Sequence, residues 1–103
     1  MSDADAAPRG DSRPVRSLSV AWQTIDGETV LLRTKEKADE KELLGLNEVG
    51  RRVWEMADGG NSIDAMVAAL AAEYEVSVEA ARADVLRFVG DLMSLGALRL
   101  GGD

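Results

Sequence analysis

The sequence contains neither cysteine nor histidine. The lack of cysteine excludes disulfides, thiolate nucleophiles and thiolate sites for zinc or iron–sulfur clusters. The lack of histidine removes the commonest general base and the commonest metal ligand. No serine lies in the G-x-S-x-G or S-x-x-K arrangement of activated nucleophiles. We therefore expect a binding module rather than an enzyme, with no catalytic residues, no metal site and no cofactor.

Basic residues and long apolar runs are also scarce. The sequence has 12 lysines and arginines and 19 acidic residues, which gives a formal net charge of −7. Such a surface repels phosphate, so nucleic acid is not an expected partner, whereas a basic partner is compatible. No run approaches the about 18 apolar residues of a membrane span. The acidic N-terminus lacks the apolar core of a secretory signal. We expect a cytoplasmic protein without membrane contact.

The length of 103 residues predicts one domain. Residues 1–16 are rich in Ala, Asp, Pro, Arg and Gly without apolar periodicity, so we predict a disordered N-terminal tail there. Residues 17–100 carry the patterns of a folded domain. The sequence therefore predicts a tail followed by a single folded unit.

Three apolar segments predict strands. Leu18, Val20 and Trp22 alternate with polar or small residues, which is typical of a half-buried strand. Asp26-Gly27 is a strong hairpin signal and leads to a second strand over residues 29–33. After a charged link, residues 43–46 (LLGL) form a third apolar run. The pattern predicts a three-stranded antiparallel meander.

Three helices are predicted after the strands. Asn47, Ser62 and Ser77 are good N-caps, each followed by apolar residues at helical spacing. The first helix should run from Glu48 to Ala57, and the third should end at Gly96, with residues 97–100 packing back as an extended segment. The prediction is an α+β fold that resembles a winged helix-turn-helix, with its hairpin before the helices.

Three segments resemble one known family. The run LNEVGRRVWEMADG, residues 46–59, resembles the L-N-x-x-G-x-x-[IV]-W-x-x-x-x-G signature of the PqqD-like proteins. The runs NSIDAMVAALAAEYEV and ADVLRFVGDLMSLGAL resemble the second and third helices of that family in the same order. The resemblance covers residues 17–100, which is everything but the predicted tail.

The resemblance implies a function in peptide modification. PqqD-like proteins bind the leader segment of a ribosomally made precursor peptide and deliver it to a modifying enzyme. That enzyme is a radical SAM protein in the pyrroloquinoline quinone pathway and a protease and cyclase in lasso-peptide pathways. Because the chain ends soon after Gly96, we expect the chemistry to be done by a separate partner.

The resemblance also implies where the leader binds. In this family the leader adds as a strand to the edge of the third strand and packs against the third helix, a form of β-augmentation. The predicted contact residues are Lys41, Glu42, Leu43, Leu44, Gly45, Leu46, Arg82, Val85, Leu86, Val89 and Met93. Lys41 and Glu42 would act as charged gatekeepers at one end of the edge.

Some points stay open at the level of sequence. The third helix has one flank with Arg82, Leu86 and Met93 and an opposite flank with Asp84 and Asp91 beside Phe88, which suits a basic leader. We favour the first flank as the wall of the groove. Leu44 and Leu46 share a face that we expect to be buried. The charged link before Leu43, and Leu44 where many family members have an aromatic residue, prevent transfer of the leader's identity.

Two other functions compete with leader binding. A winged-helix regulator would insert the third helix into DNA, but Arg82 and Arg87 there are outnumbered by Glu79, Asp84 and Asp91. A protein–protein adaptor of the same fold, with no role in peptide modification, is the other alternative.

Overall fold

The computed structural model describes residues 8–18, 20–34 and 41–101. The described elements are, in chain order, β1 (Arg13–Arg16), β2 (Ala21–Ile25), β3 (Glu28–Thr34), β4 (Lys41–Leu46), α1 (Glu48–Met56), α2 (Ile63–Tyr74), α3 (Val78–Ser94) and β5 (Leu98–Gly101). The predicted α+β class, a three-stranded antiparallel meander followed by three helices, is confirmed.

The strands form two separate antiparallel sheets. The larger sheet has the order β2-β3-β4, and the smaller sheet pairs β1 with β5. Asp26 (φ 52°) and Gly27 (φ 82°) both have positive φ in the tight turn between β2 and β3, as the hairpin signal predicted. In the larger sheet β4 lies at one edge and β2 at the other.

Each helix begins at the residue that the capping pattern predicted. The side chains of Asn47, Ser62 and Ser77 accept hydrogen bonds from the backbone N–H groups of Gly50, Ala65 and Ala80, respectively. These bonds satisfy N–H groups that the first turn of a helix leaves without a partner. Local sequence therefore fixes where all three of these helices start.

The core lies between the helices and one face of the larger sheet. Its largest fully buried side chains include Trp54, Leu31, Ile63 and Met66, and burial of each such side chain contributes about 1.5–3 kcal/mol. Trp22, on the same sheet face as Leu31, meets Trp54 edge to face with ring centroids 5.8 Å apart. Leu18, which the alternation placed in one strand with Val20 and Trp22, is fully exposed and precedes β2. The first strand therefore begins later than the alternation suggested.

The predicted tail needs a correction at its C-terminal end. Residues 13–16 form β1, which pairs with β5 in the register Arg13↔Gly101 to Arg16↔Leu98. Arg16 also donates from Nη1 to the carbonyl oxygens of Trp54 (2.8 Å) and Glu55 (3.2 Å) at the end of α1. Residues 1–7 lie outside the described residues. The folded unit therefore begins before residue 17, because β5 supplies a strand partner distant in sequence.

Candidate functional site

The outer edge of β4 is the most distinctive backbone feature of the larger sheet. Within the described residues β4 pairs with β3 alone, in the register Thr29↔Leu46 to Thr34↔Lys41. Every second residue of an edge strand directs its N–H and C=O groups away from the sheet. The structure confirms the predicted third strand and extends it to Lys41. The side chains of Lys41 and Glu42 lie outside the described part of the structure, so their predicted role as charged gatekeepers stays a prediction.

The side chains of β4 alternate between two different environments. Leu44 and Leu46 are half-buried and pack against the hydrophobic core. Leu43 is 71% exposed on the opposite face, and an added Cβ at Gly45 on that same face would meet no atom within 4 Å. Leu44 and Leu46 therefore share the face that packs against the core, as predicted, but they are half-buried rather than buried.

Two of the predicted contact residues on α3 belong to the core instead. The side chains of Val85 and Val89 are fully buried. They occupy the middle of the inward stripe of α3, together with Ala81 and Leu92, so the helix turns them away from any ligand. Val85 and Val89 therefore belong to the core, and the flanks of α3 are the parts of the helix that reach the surface.

The Arg82 flank of α3 faces α2. Arg82 Nη1 lies 2.9 Å from Asp64 Oδ1, in the first turn of α2, and this ion pair is partly exposed. Leu86 and Met93, on the same flank, are half-buried and pack against the core. The structure thus gives this flank intramolecular neighbours, which weakens the preference for it as a groove wall.

The opposite flank of α3 meets the start of α1, directly after β4. An added Cβ at Gly50 would lie 2.8 Å from Phe88 Cε1 and 3.2 Å from Asn47 Oδ1, so the Phe88 ring packs against the first turn of α1. Asp84, one turn before Phe88, is half-buried, and Asp91 is exposed. This flank, which we call the Phe88 flank (Asp84, Phe88 and Asp91), is the one beside the C-terminal end of β4.

A small hollow lies next to the Phe88 flank. Its volume is about 120 Å³, and its lining residues are Val49, Leu70, Tyr74, Val76, Ala81 and Asp84. Tyr74 donates from its hydroxyl to Glu48 Oε2 over 3.3 Å. Burial raises the pKa of the Tyr74 phenol, and the carboxylate of Glu48 raises it further. The hollow therefore has a mostly apolar lining that includes the carboxylate of Asp84, and Glu48 is hydrogen-bonded to its tyrosine.

Two absences apply to residues 8–18, 20–34 and 41–101. No cluster of acidic side chains in that part of the chain has the arrangement needed to hold a metal ion. None of the helices there combines the length and apolar character needed to cross a membrane. The described residues thus present an exposed edge of β4 and a flank of α3 that carries Asp84 and Asp91.

Comparison with known proteins identifies the fold. The structure of TbiB1 in complex with the TbiA(beta) leader peptide is similar with a TM-score of 0.71 and 29% identity, over 86% of this chain and 99% of that chain. The PqqD truncation of PqqCD from Methylobacterium extorquens, described as a stand-alone RiPP recognition element, has a TM-score of 0.68 and 20% identity, over 91% and 96% of the two chains. No curated protein sequence matches significantly.

The fold is therefore that of the RiPP recognition elements, where RiPP denotes a ribosomally synthesised and post-translationally modified peptide. Residues 28–98 match the family described as Coenzyme PQQ synthesis protein D (PqqD). The chain belongs to the PqqD family. The resemblance found in residues 46–59 and in the second and third helices is confirmed.

Proposed function

We propose that this protein binds the leader segment of a ribosomally synthesised precursor peptide by adding it as a strand to the free edge of β4. The observation that carries the proposal is the position of that edge, beside the start of α1 and the Phe88 flank of α3. Family membership and the leader peptide bound to TbiB1 support the same assignment. Backbone pairing supplies affinity for any extended peptide, and side-chain contacts supply specificity.

The leader's inward side chains would then meet Leu44, Leu46 and the Phe88 flank. Asp84 is half-buried there and lines the adjoining hollow, and Glu48 accepts a hydrogen bond from Tyr74, which lines the same hollow. A lysine or arginine side chain fits this combination, because its aliphatic stem can cover apolar surface while its charged end reaches a carboxylate. The net charge of −7 favours a basic segment as well.

We further propose that the protein presents the bound leader to a modifying enzyme and performs no chemistry itself. The absence of cysteine and histidine from the sequence supports a non-catalytic role. The partner would be a radical SAM protein, as in pyrroloquinoline quinone biosynthesis, or a cyclase and protease. A DNA-binding role has less support, because α3 carries more acidic than basic residues and Arg82 is paired with Asp64.

Proline substitution along β4 tests strand addition. Neighbouring residues of an antiparallel strand direct their N–H groups alternately toward and away from the partner strand, so either Leu43 or Leu44 donates outward. We expect one of Leu43→Pro and Leu44→Pro to weaken binding of a synthetic leader peptide from a short reading frame beside the gene, while the fold is retained. Affinity is measured by fluorescence anisotropy and folding by circular dichroism.

The matched control places proline at Gln23, on the opposite edge of the same sheet. Gln23→Pro should disturb the sheet to a similar extent without touching the β4 edge, so peptide affinity should persist. Unchanged affinity in both β4 variants would contradict strand addition. A genomic search for a neighbouring radical SAM or cyclase and protease gene tests the proposed partner.

A further inference from the structure

The face of the larger sheet that points away from the helices is apolar. Two cross-strand rows lie on it, Ala21–Leu32–Leu43 and Gln23–Val30–Gly45. A shallow cavity of about 370 Å³ lies on this part of the sheet, lined by Ala21, Trp22, Gln23, Ile25, Val30, Leu32 and Leu43. Ile25 is 49% exposed and Leu43 is 71% exposed. We call the apolar residues Ile25, Val30, Leu32 and Leu43 the outer patch.

The outer patch reaches the edge at which the leader is proposed to bind. Leu43 belongs to β4 itself, and Gly45 lies two residues further along the same face. An added Cβ at Gly45 would meet no atom within 4 Å, so the space above it is open. The backbone of Gly45 does not have a positive φ, so its conformation does not require glycine at this position. The backbone conformation therefore does not explain the glycine at position 45, whereas the open space above it is available to a ligand side chain.

We propose that the outer patch is a second specificity site for the leader. Large apolar leader side chains occupy it, and the one opposite Gly45 is aromatic. The inference rests on the proposed function, because it needs the leader to lie along β4. Successive side chains of a strand point to opposite faces of the sheet. A leader that directs one residue toward the Phe88 flank must direct the next residue toward Leu43 and Gly45.

The chemistry of the occupant follows from Gly45. An aromatic residue on a neighbouring strand can cover the backbone that a glycine leaves bare. From a position opposite Gly45 its ring would extend over Gly45 toward Val30, which is the cross-strand neighbour of Gly45. Burying the ring there removes apolar surface of both partners from water. The leader should therefore carry two apolar residues separated by one position, of which one is aromatic.

A leader side chain fits this surface better than a second copy of the chain. The patch is continuous with the β4 edge, so one extended segment can occupy both at once. A second copy that paired through the same edge would bring acidic chains with a net charge of −7 each against one another. The charge balance favours a separate, basic segment.

Peptide display separates this proposal from strand addition itself. The wild-type domain and the variants Gly45→Val and Leu43→Glu are panned against a phage library of random peptides of about ten residues, enough for a strand and its flanks. Valine is a good strand residue and has room at position 45, so Gly45→Val should fold. Val78→Glu, at another exposed apolar residue, is the control.

The expected result is a wild-type pool enriched in large apolar residues at positions i and i+2. The affinity of its best peptide should fall about tenfold, or 1.4 kcal/mol, in Gly45→Val and in Leu43→Glu, and stay unchanged in Val78→Glu. Equal affinity for all four proteins would overturn the second site while leaving strand addition intact. A wild-type protein that selects no peptide would overturn both. A dimer that Leu43→Glu dissociates would also overturn the second site.

Discussion

Gly50 on α1 lies directly against the ring of Phe88 on α3, so closely that an added Cβ would come within 2.8 Å of Phe88 Cε1. The same glycine donates its backbone N–H to Asn47 Oδ1 over 2.8 Å. Asn47 and Gly50 are the Asn and Gly of the family signature, so this part of the signature has a physical explanation. Asn47 begins the helix, and Gly50 permits Phe88 of α3 to approach the first turn of α1.

Gly50→Ala should therefore destabilise the protein despite the better helix propensity of alanine. The ring must shift to admit the Cβ, and overpacking of this kind costs about 1–3 kcal/mol. Urea denaturation measures the change. Phe88→Leu in the same chain should recover part of the loss, because a leucine side chain leaves room beside residue 50. Two additive losses in the double variant would contradict the proposed contact.

Arg16 should contribute to stability through both its hydrogen bonds and its ring contacts. Its guanidinium donates to two carbonyl oxygens at the end of α1 and lies 5.4 Å from the Trp22 ring centroid and 6.0 Å from that of Trp54. Arg16→Ala should cost about 1–3 kcal/mol in the free energy of unfolding. Arg16→Lys should recover only part of it, because an ammonium lacks the planar fork of donors.

Arg99→Ala, at an exposed position of β5, provides the comparison for Arg16→Ala in the same urea experiment. It should change the free energy of unfolding by less than about 0.5 kcal/mol. Equal losses at the two positions would mean that Arg16 acts only as one of many surface charges.

The ion pair between α1 and α2 should make stability depend on pH on the acid side. Arg52 donates to Glu73 from Nε (2.9 Å) and from Nη2 (2.8 Å), and this hydrogen bonding holds the pKa of Glu73 below its usual range. A carboxylate whose pKa is lower in the folded state stabilises the protein above its unfolded pKa of about 4.3. That contribution is lost as the pH falls through the lowered pKa of the folded state.

Thermal melts from neutral pH down to about pH 3 measure this effect. The wild type should melt at a higher temperature than Glu73→Gln near neutrality, and the two curves should converge in acid. A constant difference across the range would show that Glu73 acts through packing rather than through its charge.

The two flanks of α3 should respond differently to loss of charge. If the leader contacts the Phe88 flank, Asp84→Asn should weaken binding of a basic leader peptide several-fold, or about 1 kcal/mol, and more strongly at low salt. Arg82→Gln should have little effect on affinity, because Arg82 is directed to Asp64 on α2. Isothermal titration calorimetry at two salt concentrations compares them. A larger loss of affinity in Arg82→Gln than in Asp84→Asn would instead place the leader against the Arg82 flank.

Local patterns predicted much of the fold. The three N-caps, the Asp26-Gly27 turn and the β4 segment depend on residues close in sequence, and each is confirmed. β1 was missed because Arg13–Arg16 is short and its partner strand, Leu98–Gly101, lies at the other end of the chain. A segment of four residues carries too little alternation to reveal a partner so distant.

The candidate site was only partly predictable for a similar reason. Helical spacing identified the inward stripe and both flanks of α3, but the neighbour of each flank depends on how α1 and α2 pack. Val85 and Val89 belong to the centre of that stripe, which their spacing with Ala81 and Leu92 already indicated. The density of apolar residues in β3 predicts a strand but not the outer patch. Only period-2 alternation places Val30 and Leu32 together on the face opposite Leu31.

The most direct test of the account is an isotope-filtered nuclear Overhauser experiment on labelled protein with unlabelled leader peptide. Strand addition predicts cross-strand contacts between backbone protons of the peptide and those of Lys41–Leu46, together with side-chain contacts to Phe88. Peptide contacts confined to β2, or to the Arg82 side of α3, with none along β4 would contradict it.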